Sequence, residues 1–399
     1  MNRIFKQIKE GLTDLVLVWY DEFKEALSDT ALILLFFIAP LFYPIVYGLI
    51  YANEVASEAK LVVVDLDNSK ESREFRRLCD ATHEIDVVGV CANMEEAKEV
   101  VNRREAFGIL LFPRDFSKRI AQKDQATLQL YCEMSSLLYY KNLLAPITEI
   151  SLETNKEIQV DRLDINSVKS AGTESLSTTY INYQNASLFN PQNGFNSFLL
   201  PAFVMLLIQQ TMVIGICVLS GGVFDRKRFH TMYPILRHKR GTFRIVIGKV
   251  LFYLTIYLIN AYYLLHLVPK IFNLPQIGDP VDIITLILPY IVACSLFGMT
   301  LSVFVKEKET AYVLLTFFSL IFLFISGVSW PQAAVPTVWK YVSYIIPSTF
   351  GIQGFVKINT MGATIPDISF EFTGLLIQIV VYFITACLVY RYRIIKECV

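Results

Sequence analysis

Two aspartates separated by one residue, Asp65 and Asp67, follow a run of β-branched residues that begins at Leu61. Paired carboxylates at a strand end are able to hold a divalent cation or to act as catalytic acid and base. No glycine-rich phosphate loop follows them, and no histidine or cysteine cluster lies near them in the sequence. We therefore interpret both as turn and cap residues, and predict neither a metal site nor a catalytic site.

The segment from Gly241 to Lys249 contains glycine and lysine, as a phosphate-binding loop does. The glycine spacing is wrong, however, and Val250 follows the lysine where such a loop has serine or threonine. The sequence also lacks a histidine-rich cluster, a nucleophile motif and a paired set of carboxylates within an apolar run. It predicts a protein that is not itself an enzyme and needs no cofactor, so any use of ATP would require another chain.

The composition places these residues in a membrane protein. Hydrophobic residues make up 54% of the 399 residues and charged residues 18%, while 36 basic and 36 acidic side chains leave no excess that would favour nucleic acid. Runs of about 20 uncharged residues are long enough to cross a hydrocarbon core of about 30 Å. They predict an α-helical polytopic membrane protein with six transmembrane helices, at residues 31–51, 194–224, 250–268, 283–305, 310–339 and 372–390.

The first run follows Ser28 and Asp29, either of which could cap a helix, and it contains Pro40 and Pro44. Proline leaves backbone groups unpaired, which in lipid must be satisfied by neighbouring helices. We expect a kinked helix packed against other protein. Before it, residues 1–30 predict a cytoplasmic amphipathic helix in the membrane interface, with charged residues such as Asp14 on its polar side; packing against another cytoplasmic domain is a compatible alternative.

The distribution of Lys and Arg gives the orientation. Segments 1–30, 225–249, 306–309 and 391–399 carry 17 basic residues, whereas the alternate short loops carry only Lys270, Lys340 and Lys357. Because cytoplasmic loops are enriched in Lys and Arg, we expect both termini in the cytoplasm and residues 52–194 outside. The stretch 225–249 is the most basic; its charges fit anchoring and contact with anionic membrane lipids, and its interleaved apolar residues fit a protein docking surface.

Residues 52–194 predict an inserted extracytoplasmic α/β domain. Strands are expected at 61–65, 86–90, 106–112 and 126–133, with helices at 70–79, 93–104 and 136–170, an alternation typical of a largely parallel sheet. Cys79 and Cys91 could form a disulfide in an oxidising compartment, but unpaired thiols are the favoured interpretation. The last helix has an apolar stripe at helical spacing: Leu137, Leu144, Ile147, Ile150, Ile158 and Leu163.

Near the end of the fifth run, Gly327, Pro331 and Pro336 interrupt the apolar sequence and predict a re-entrant external segment over residues 327–358. Intramembrane acidic or basic residues are missing from the predicted spans, which argues against a proton or ion relay. The aromatic and aliphatic surface fits an apolar or amphipathic cargo. An equally good interpretation of each such side chain is contact with lipid or a neighbouring helix.

The order of these elements resembles the ABC type-2 (ABC-2) exporter permeases, in particular the multidrug-type bacterial members with a large external domain between the first and second spans. The resemblance covers nearly the whole chain. Its motifs are weak individually, and their order is specific: Leu61-Val-Val-Val-Asp-Leu-Asp-Asn-Ser69, Phe107-Gly-Ile-Leu-Leu-Phe-Pro-Arg-Asp-Phe-Ser117, Phe324-Ile-Ser-Gly-Val-Ser-Trp-Pro331, Val335-Pro336 and Tyr344-Ile-Ile-Pro347.

The resemblance implies a permease subunit in the bacterial cytoplasmic (inner) membrane that dimerises and contacts an ABC ATP-binding subunit through the loop after its second span. A periplasmic adaptor is a further partner that similar systems use. The implied ATPase-coupling residues are Arg226, Arg228, Thr231, Tyr233, Leu236 and Arg240. The breaks that fit an external gate are Gly327, Pro331, Pro336 and Pro347.

One part of the loop departs from the family pattern. His230 and Tyr233 stand where the family usually has glycine and glutamate, while Thr231 is retained. One explanation is that the chain is the divergent half of a heterodimer, and a homodimer is the alternative. The main functional prediction is an exporter permease for an apolar or amphipathic substrate. The alternative is a membrane-anchored sensor or receptor whose external domain binds a ligand.

Overall fold

The computed structural model describes residues 2–51, 58–122, 124–134, 137–164, 189, 194–221, 234–235, 238, 241–305, 308–327, 330 and 332–398. The chain divides into two compact units. One unit comprises Met1–Ala52 with Leu188–Val399, and the other comprises Asn53–Ser187. The described chain is mostly helical, with a small sheet in the inserted unit, as the sequence predicts.

Two helices open the chain: α1, Asn2–Ser28, and α2, Thr30–Ile50. Asp29 separates them and caps α2, because its Oδ1 accepts a hydrogen bond from the backbone N–H of Ala31 at 3.0 Å. Of the two predicted cap residues, Asp29 performs this role, while the hydroxyl of Ser28 donates to the carbonyl of Lys24.

Helix α2 contains a π-helical turn over Leu34–Ile38, followed by Pro40 and Pro44. Pro40 has no N–H with which to bond the carbonyl of Phe36, four residues earlier. The Nδ2 of Asn260, on a later helix, donates to that carbonyl at 2.8 Å. The expectation that a neighbouring helix satisfies backbone freed by proline is confirmed.

The inserted unit contains a four-stranded sheet in the order β2-β1-β3-β4. Its strands are β1, Ala59–Asp65, β2, Ile85–Cys91, β3, Gly108–Phe112, and β4, Gln129–Cys132. β1 pairs in parallel with both β2 and β3, whereas β4 is antiparallel to β3. The largely parallel sheet is confirmed, and the fourth strand adds an antiparallel edge.

Helices cover both faces of this sheet: α3, Lys70–Asp80, α4, Met94–Asn102, α5, Phe116–Gln122, and α6, Leu137–Asp164. Side chains of β1 alternate, so Leu61 and Val63 share a core with α3 and α6, and Val62 and Val64 share one with α4. Helix α5 was not predicted from the sequence. The predicted apolar stripe on α6 is wrong at one position, because Leu144 is exposed and the adjacent Leu143 is fully buried.

The two aspartates after β1 are turn and cap residues, as predicted. Asp65 accepts hydrogen bonds from the N–H of Asn68 at 2.8 Å and from the hydroxyl of Ser72 at 2.6 Å. Asp67 accepts from the N–H of Ser117 at 3.1 Å, at the start of α5. Within the described ranges, no group of three or more His, Cys, Asp or Glu residues could hold a metal ion.

Cys79 and Cys91 are both free thiols, as the favoured interpretation expected. They lie in the two separate cores on opposite faces of the sheet. Burial, with a smaller contribution from the neighbouring Asp80 charge, raises the pKa of Cys79 to about 12. The Cys79 side chain therefore remains a thiol at neutral pH and contributes to packing.

The described part of residues 194–398 is mostly helical and belongs to the unit that contains the membrane spans. In chain order its helices are α7, Phe195–Leu219, α8, Gly241–Ile271, α9, Pro280–Phe304, α10, Lys308–Ile325, α11, Thr337–Ser343, α12, Pro347–Met361, and α13, Ser369–Cys398.

Five helices among the described residues are long and apolar enough to cross a membrane: Thr30–Ile50, Phe195–Leu219, Gly241–Ile271, Pro280–Phe304 and Ile365–Ile395. Six spans are therefore not confirmed, since the remaining predicted run contains α10, which has 18 residues and is not one of these five. Helix α8 also begins at Gly241, nine residues before the predicted run at 250, so Lys249 is helical.

Helix α7 is the central helix of the membrane unit. In its most apolar stretch 83% of residues are buried, against 22% for the last span. The hydroxyl of Tyr290 on α9 donates to the carbonyl of Met205 on α7 at 2.6 Å. Gly351 on α12 lies against the Tyr290 ring so closely that a Cβ there would be 2.3 Å from it, and only glycine allows this approach.

Candidate functional site

The residues predicted to couple to an ATP-binding subunit belong to the segment between α7 and α8. All six lie outside the described residues: Arg226, Arg228, Thr231, Tyr233, Leu236 and Arg240. Pro234, Ile235 and His238 are described in this segment, and Ile235 is buried in the main hydrophobic cluster. The structure therefore shows how the two ends of the segment are attached to the helices around it.

The end that leaves α7 is attached to α13 by Arg393. Its Nη1 donates to the carbonyl of Ser220 at 3.1 Å, and its Nη2 donates at 2.6 Å to the carbonyl of Val305, just after α9. Carbonyls at helix C-termini lack intrahelical donors and carry partial negative charge, so a guanidinium is a well-suited partner. The Ser220 hydroxyl also lies 3.3 Å from the hydroxyl of Tyr390 on α13.

The end that enters α8 is attached to α1 by Asp14. The carboxylate Oδ2 accepts a hydrogen bond from Nη1 of Arg244 at 2.6 Å and lies 3.0 Å from Nδ1 of His238. The side chains of Asp14 and Arg244 are only 11% and 16% exposed. This ion pair is therefore mostly shielded from water and ties the first turn of α8 to α1.

About two helical turns further along α1, Glu22 forms an ion pair with Lys249 on α8. The side chains are 0% and 2% exposed, and the Tyr253 hydroxyl lies 3.5 Å from Glu22 Oε2. Lys249 Nζ also lies 5.0 Å from the centre of the Tyr390 ring, within the range of a cation–π interaction. Loss of one partner would leave an uncompensated buried charge, which costs about 3–5 kcal/mol.

These contacts are brought together by one face of α1. Asp14, Val18, Glu22 and Ala26 are all buried, and their four-residue spacing places them in one row along the helix. Gly248 on α8 allows the close approach, because a Cβ there would be 2.9 Å from the Cβ of Val18.

We call this set of residues the loop-stem cluster, since it surrounds both ends of the segment between α7 and α8. It links α1, α7, α8 and α13. Its members are Asp14, Glu22, Ser220, His238, Arg244, Lys249, Tyr390 and Arg393.

The residues predicted as an external gate lie at breaks between α10 and α12. Gly327 has a φ of +89°, a conformation that favours glycine, and it follows α10. Pro336 immediately precedes α11, and Pro347 is the first residue of α12, the two positions where proline starts a helix without loss of a hydrogen bond. Pro331 lies outside the described residues. The structure thus places three of the four at chain breaks, without joining them in one site.

The α11–α12 turn, residues 344–348, is held by side chains of two membrane helices. Gln209 on α7 accepts a hydrogen bond from the N–H of Ser348 at 2.6 Å, in the first turn of α12. On α13, Gln378 Nε2 donates to the carbonyl of Tyr344 at 2.8 Å, and the hydroxyl of Tyr382 donates to the carbonyl of Ile345. Gln209 and Gln378, which lie within the predicted runs 194–224 and 372–390, therefore satisfy backbone groups of this turn.

Several polar atoms beside this turn have no partner in the described part of the chain. They are Gln209 Nε2, Ser348 Oγ and Gln378 Oε1, and all three residues are at most 6% exposed. Buried polar atoms are normally hydrogen-bonded, so these three are free to accept new partners if the turn rearranges.

An ion pair joins α12 to α13. Lys357 Nζ lies 2.6 Å from Glu371 Oε1, and the Glu371 side chain is only 4% exposed while that of Lys357 is 42% exposed. The sequence analysis counted Lys357 only as a loop charge and did not single out Glu371, which stands one residue before the predicted run at 372–390.

Comparison with known families decides the identity of the chain. The family described as ABC-2 family transporter protein matches residues 30–388. The chain belongs to the ABC-2 transporter family. No curated protein matches it in a sequence search. This ABC-2 protein is therefore a permease component of an ABC transporter and a multi-pass membrane protein.

Most of the loop-stem cluster of this ABC-2 permease was not predicted from the sequence. Asp14 was expected on the polar outer side of α1, yet Asp14 faces inward while Leu12 and Val16 are exposed. Lys249 was expected at the end of a loop. The available signal was the spacing of Asp14 and Glu22, which lie on one face with Val18 between them.

Proposed function

We propose that this chain is the transmembrane subunit of an ATP-driven exporter that moves an apolar or amphipathic substrate outward across the bacterial cytoplasmic membrane. The family supports a permease that associates with an ABC ATP-binding subunit. The observation that carries the proposal is the loop-stem cluster, because it attaches both ends of the candidate coupling segment to α1 and α13 through mostly buried polar contacts.

A force on the segment between α7 and α8 has a defined route in this arrangement. Arg244 and Lys249 transmit it to α1 through two ion pairs, and Arg393 transmits it to α13 and the end of α9. Nucleotide binding can drive transport only if it favours one of two arrangements of the transmembrane subunits. The cluster supports a coupling role because its charges keep these helices together as they move.

The rearrangement that releases substrate is proposed to involve the α11–α12 turn. Gln209, Gln378 and Tyr382 hold it by single hydrogen bonds to backbone groups. Such bonds contribute about 0.5–1.5 kcal/mol each, so they can exchange without a large penalty. Together with the breaks at Gly327, Pro336 and Pro347, this supports an external gate.

The assembly around the permease follows from the same proposal. Two permease subunits form the transport path with ATP-binding subunits, as a homodimer or as a heterodimer in which His230 and Tyr233 mark the divergent half. Both termini lie in the cytoplasm and residues 52–194 lie outside, where a periplasmic adaptor can contact them. The charge distribution among the flanking segments supports this orientation.

The test is affinity purification of the tagged, detergent-solubilised chain, identification of the co-purified ABC ATP-binding subunit by mass spectrometry, and an ATPase assay of the complex. We expect Arg228→Glu and Tyr233→Ala to weaken recovery of the subunit or to lower its ATP turnover. Lys249→Gln should retain the subunit but lower the stimulation of its ATPase by an amphipathic fluorescent dye, because the pair lies behind the docking surface.

Lys340→Gln is the matched control, since it removes one lysine from α11, away from the coupling segment. Export direction is measured by dye accumulation in inside-out membrane vesicles after addition of ATP. If the chain retains no ATP-binding subunit and ATP drives no accumulation, the exporter proposal is wrong and the sensor interpretation takes its place.

A further inference from the structure

The inserted unit carries an open groove of about 620 Å³ between α3 and the edge strand β2. Its floor is formed by Val87, Gly89 and Val90 of β2, and its wall is formed by the exposed side of α3. Gly89 contributes only backbone to this floor, and it pairs with Val62 of β1, which belongs to the core on the α4 side of the sheet. A chain lying along β2 would therefore meet no side chain at this position.

The groove is basic although the segment that contains it is acidic. Residues 52–194 carry 16 basic and 22 acidic residues, yet four basic and two acidic side chains line the groove. Glu74 is neutralised by Arg77 at 2.6 Å, and Asp80 accepts a hydrogen bond from the N–H of Val87 at 3.2 Å. The groove lining thus has an excess of positive charge, contributed by Lys70, Arg73 and Arg76.

One of these charges is held in place. Arg73 Nη1 donates to the carbonyl of Asn68 at 2.8 Å, which fixes the guanidinium without neutralising it. Helix α3 is itself anchored by its buried residues Phe75 and Cys79. Because the Arg73 guanidinium is already held, its ordering on binding costs little conformational entropy.

The strand beside these cations has an unpaired edge. β2 pairs only with β1 in the described sheet, and its pairing register shifts near Val88, between Val87 and Gly89. Val88 and Val90 are 47% and 49% exposed. An edge strand with exposed apolar side chains is a template for an added extended segment.

We propose that this groove binds an acidic, extended polypeptide segment of a partner protein. The segment lies along β2, contacts Val88 and Val90, and directs the carboxylates of alternate residues toward Lys70, Arg73 and Arg76, since successive side chains of an extended chain point to opposite sides. The inference concerns the inserted unit alone and does not depend on ATP-driven transport.

The experiment measures binding of a fluorescein-labelled ten-residue peptide that alternates glutamate with threonine to the full-length, detergent-solubilised chain. The comparison peptide has glutamine in place of glutamate. We expect the glutamate peptide to bind at least about tenfold more tightly, with an affinity that falls as salt is added. Charge reversal by Arg73→Glu with Arg76→Glu should remove this preference, and the milder Arg73→Gln with Arg76→Gln should reduce it.

The matched control reverses two charges on the other face of the sheet, Lys98→Glu on α4 with Arg103→Glu directly after it, and should leave the affinity within about twofold. Circular dichroism and thermal unfolding establish that each variant is folded. Equal binding of the glutamate and glutamine peptides overturns the proposal, as does a glutamate preference that survives in folded Arg73→Gln, Arg76→Gln protein. A third peptide with proline at alternate positions tests the strand geometry, and undiminished binding of it overturns the placement along β2.

Discussion

The loop-stem cluster and the α11–α12 turn connect helices of the same unit by different chemistry. In the loop-stem cluster the connections are full charges: Glu22 with Lys249, Asp14 with Arg244, and Arg393 with two helix-end carbonyls. Because breaking a buried ion pair on one side leaves a charge in a low-dielectric environment, these helices are expected to remain associated through any movement.

The α11–α12 turn is held by neutral groups that are only partly used. Gln209 and Gln378 each make a hydrogen bond to the turn with one end of the amide, and the other end has no partner among the described residues. Both regions are buried but only the loop-stem cluster is held by charges, so burial alone does not make a contact rigid. The charged cluster is suited to transmit movement, and the neutral turn is suited to exchange partners.

The largest effect is expected from Lys249→Met. This change leaves Glu22 buried without its cation and should lower the free energy of unfolding by about 3–5 kcal/mol. Thermal and denaturant unfolding of the detergent-solubilised chain, followed by circular dichroism, measures it. Lys9→Met is the control, since Lys9 is exposed on the same helix as Glu22.

The double variant Glu22→Gln with Lys249→Met tests whether the loss of stability comes from the unpaired carboxylate of Glu22. Removing both charges should recover much of the loss, because the cost comes from the unpaired carboxylate. If Lys249→Met is no less stable than Lys9→Met, the cluster is not held by this ion pair and the contrast with the turn fails.

The next effect is expected from Arg393→Met, which removes the donor to the carbonyls of Ser220 and Val305. Hydrogen bonds from charged groups contribute about 1.5–3 kcal/mol, so a loss of this order is expected in the same unfolding experiment. The control is Arg391→Met on the exposed side of α13. Equal stability of the two variants would show that water replaces the guanidinium at these helix ends.

Features that depend on residues close together in the sequence were predictable from it. Runs of β-branched residues located β1 and β2, and uncharged stretches located five membrane helices. The helices expected at 70–79 and 93–104 are α3 and α4, which the side chains of Ser69 and Asn93 cap. In each case the residues that give the prediction lie in or next to the element, and one physical preference decides its conformation.

The partners in the loop-stem cluster could not be derived in this way. Glu22 and Lys249 are separated by 227 positions, and hydrophobic periodicity assigns charged residues to the outer face of a helix. In α1, Asp14 and Glu22 are instead buried, because each forms an ion pair with a residue of α8. The short α5 after Pro113 and the exchange of Leu144 for Leu143 on α6 were missed for a related reason, since tertiary packing decides which side of a short or curved helix is buried.

A smaller effect is expected from Gly248→Ala, which tests how closely α1 and α8 must approach. The added methyl group would lie 2.9 Å from the Cβ of Val18 and should cost about 1–3 kcal/mol by overpacking. Gly89→Ala is the control, because its methyl group meets open space. A Gly248→Ala protein as stable as wild type would mean that α1 moves away from α8 freely, and the cluster would then not transmit movement.

The smallest effect on stability is expected from Gln378→Met at the α11–α12 turn. The change removes the hydrogen bond to the carbonyl of Tyr344, but it also removes the unpaired Oε1, so the net cost should stay below about 1 kcal/mol. Gln378→Glu is the informative companion, because it keeps the size and introduces a buried carboxylate facing a carbonyl oxygen. It should cost several times more, on the order of 3 kcal/mol, unless the carboxylate is protonated. A loss from Gln378→Met as large as that from Lys249→Met would show that the turn is as firmly held as the charged cluster.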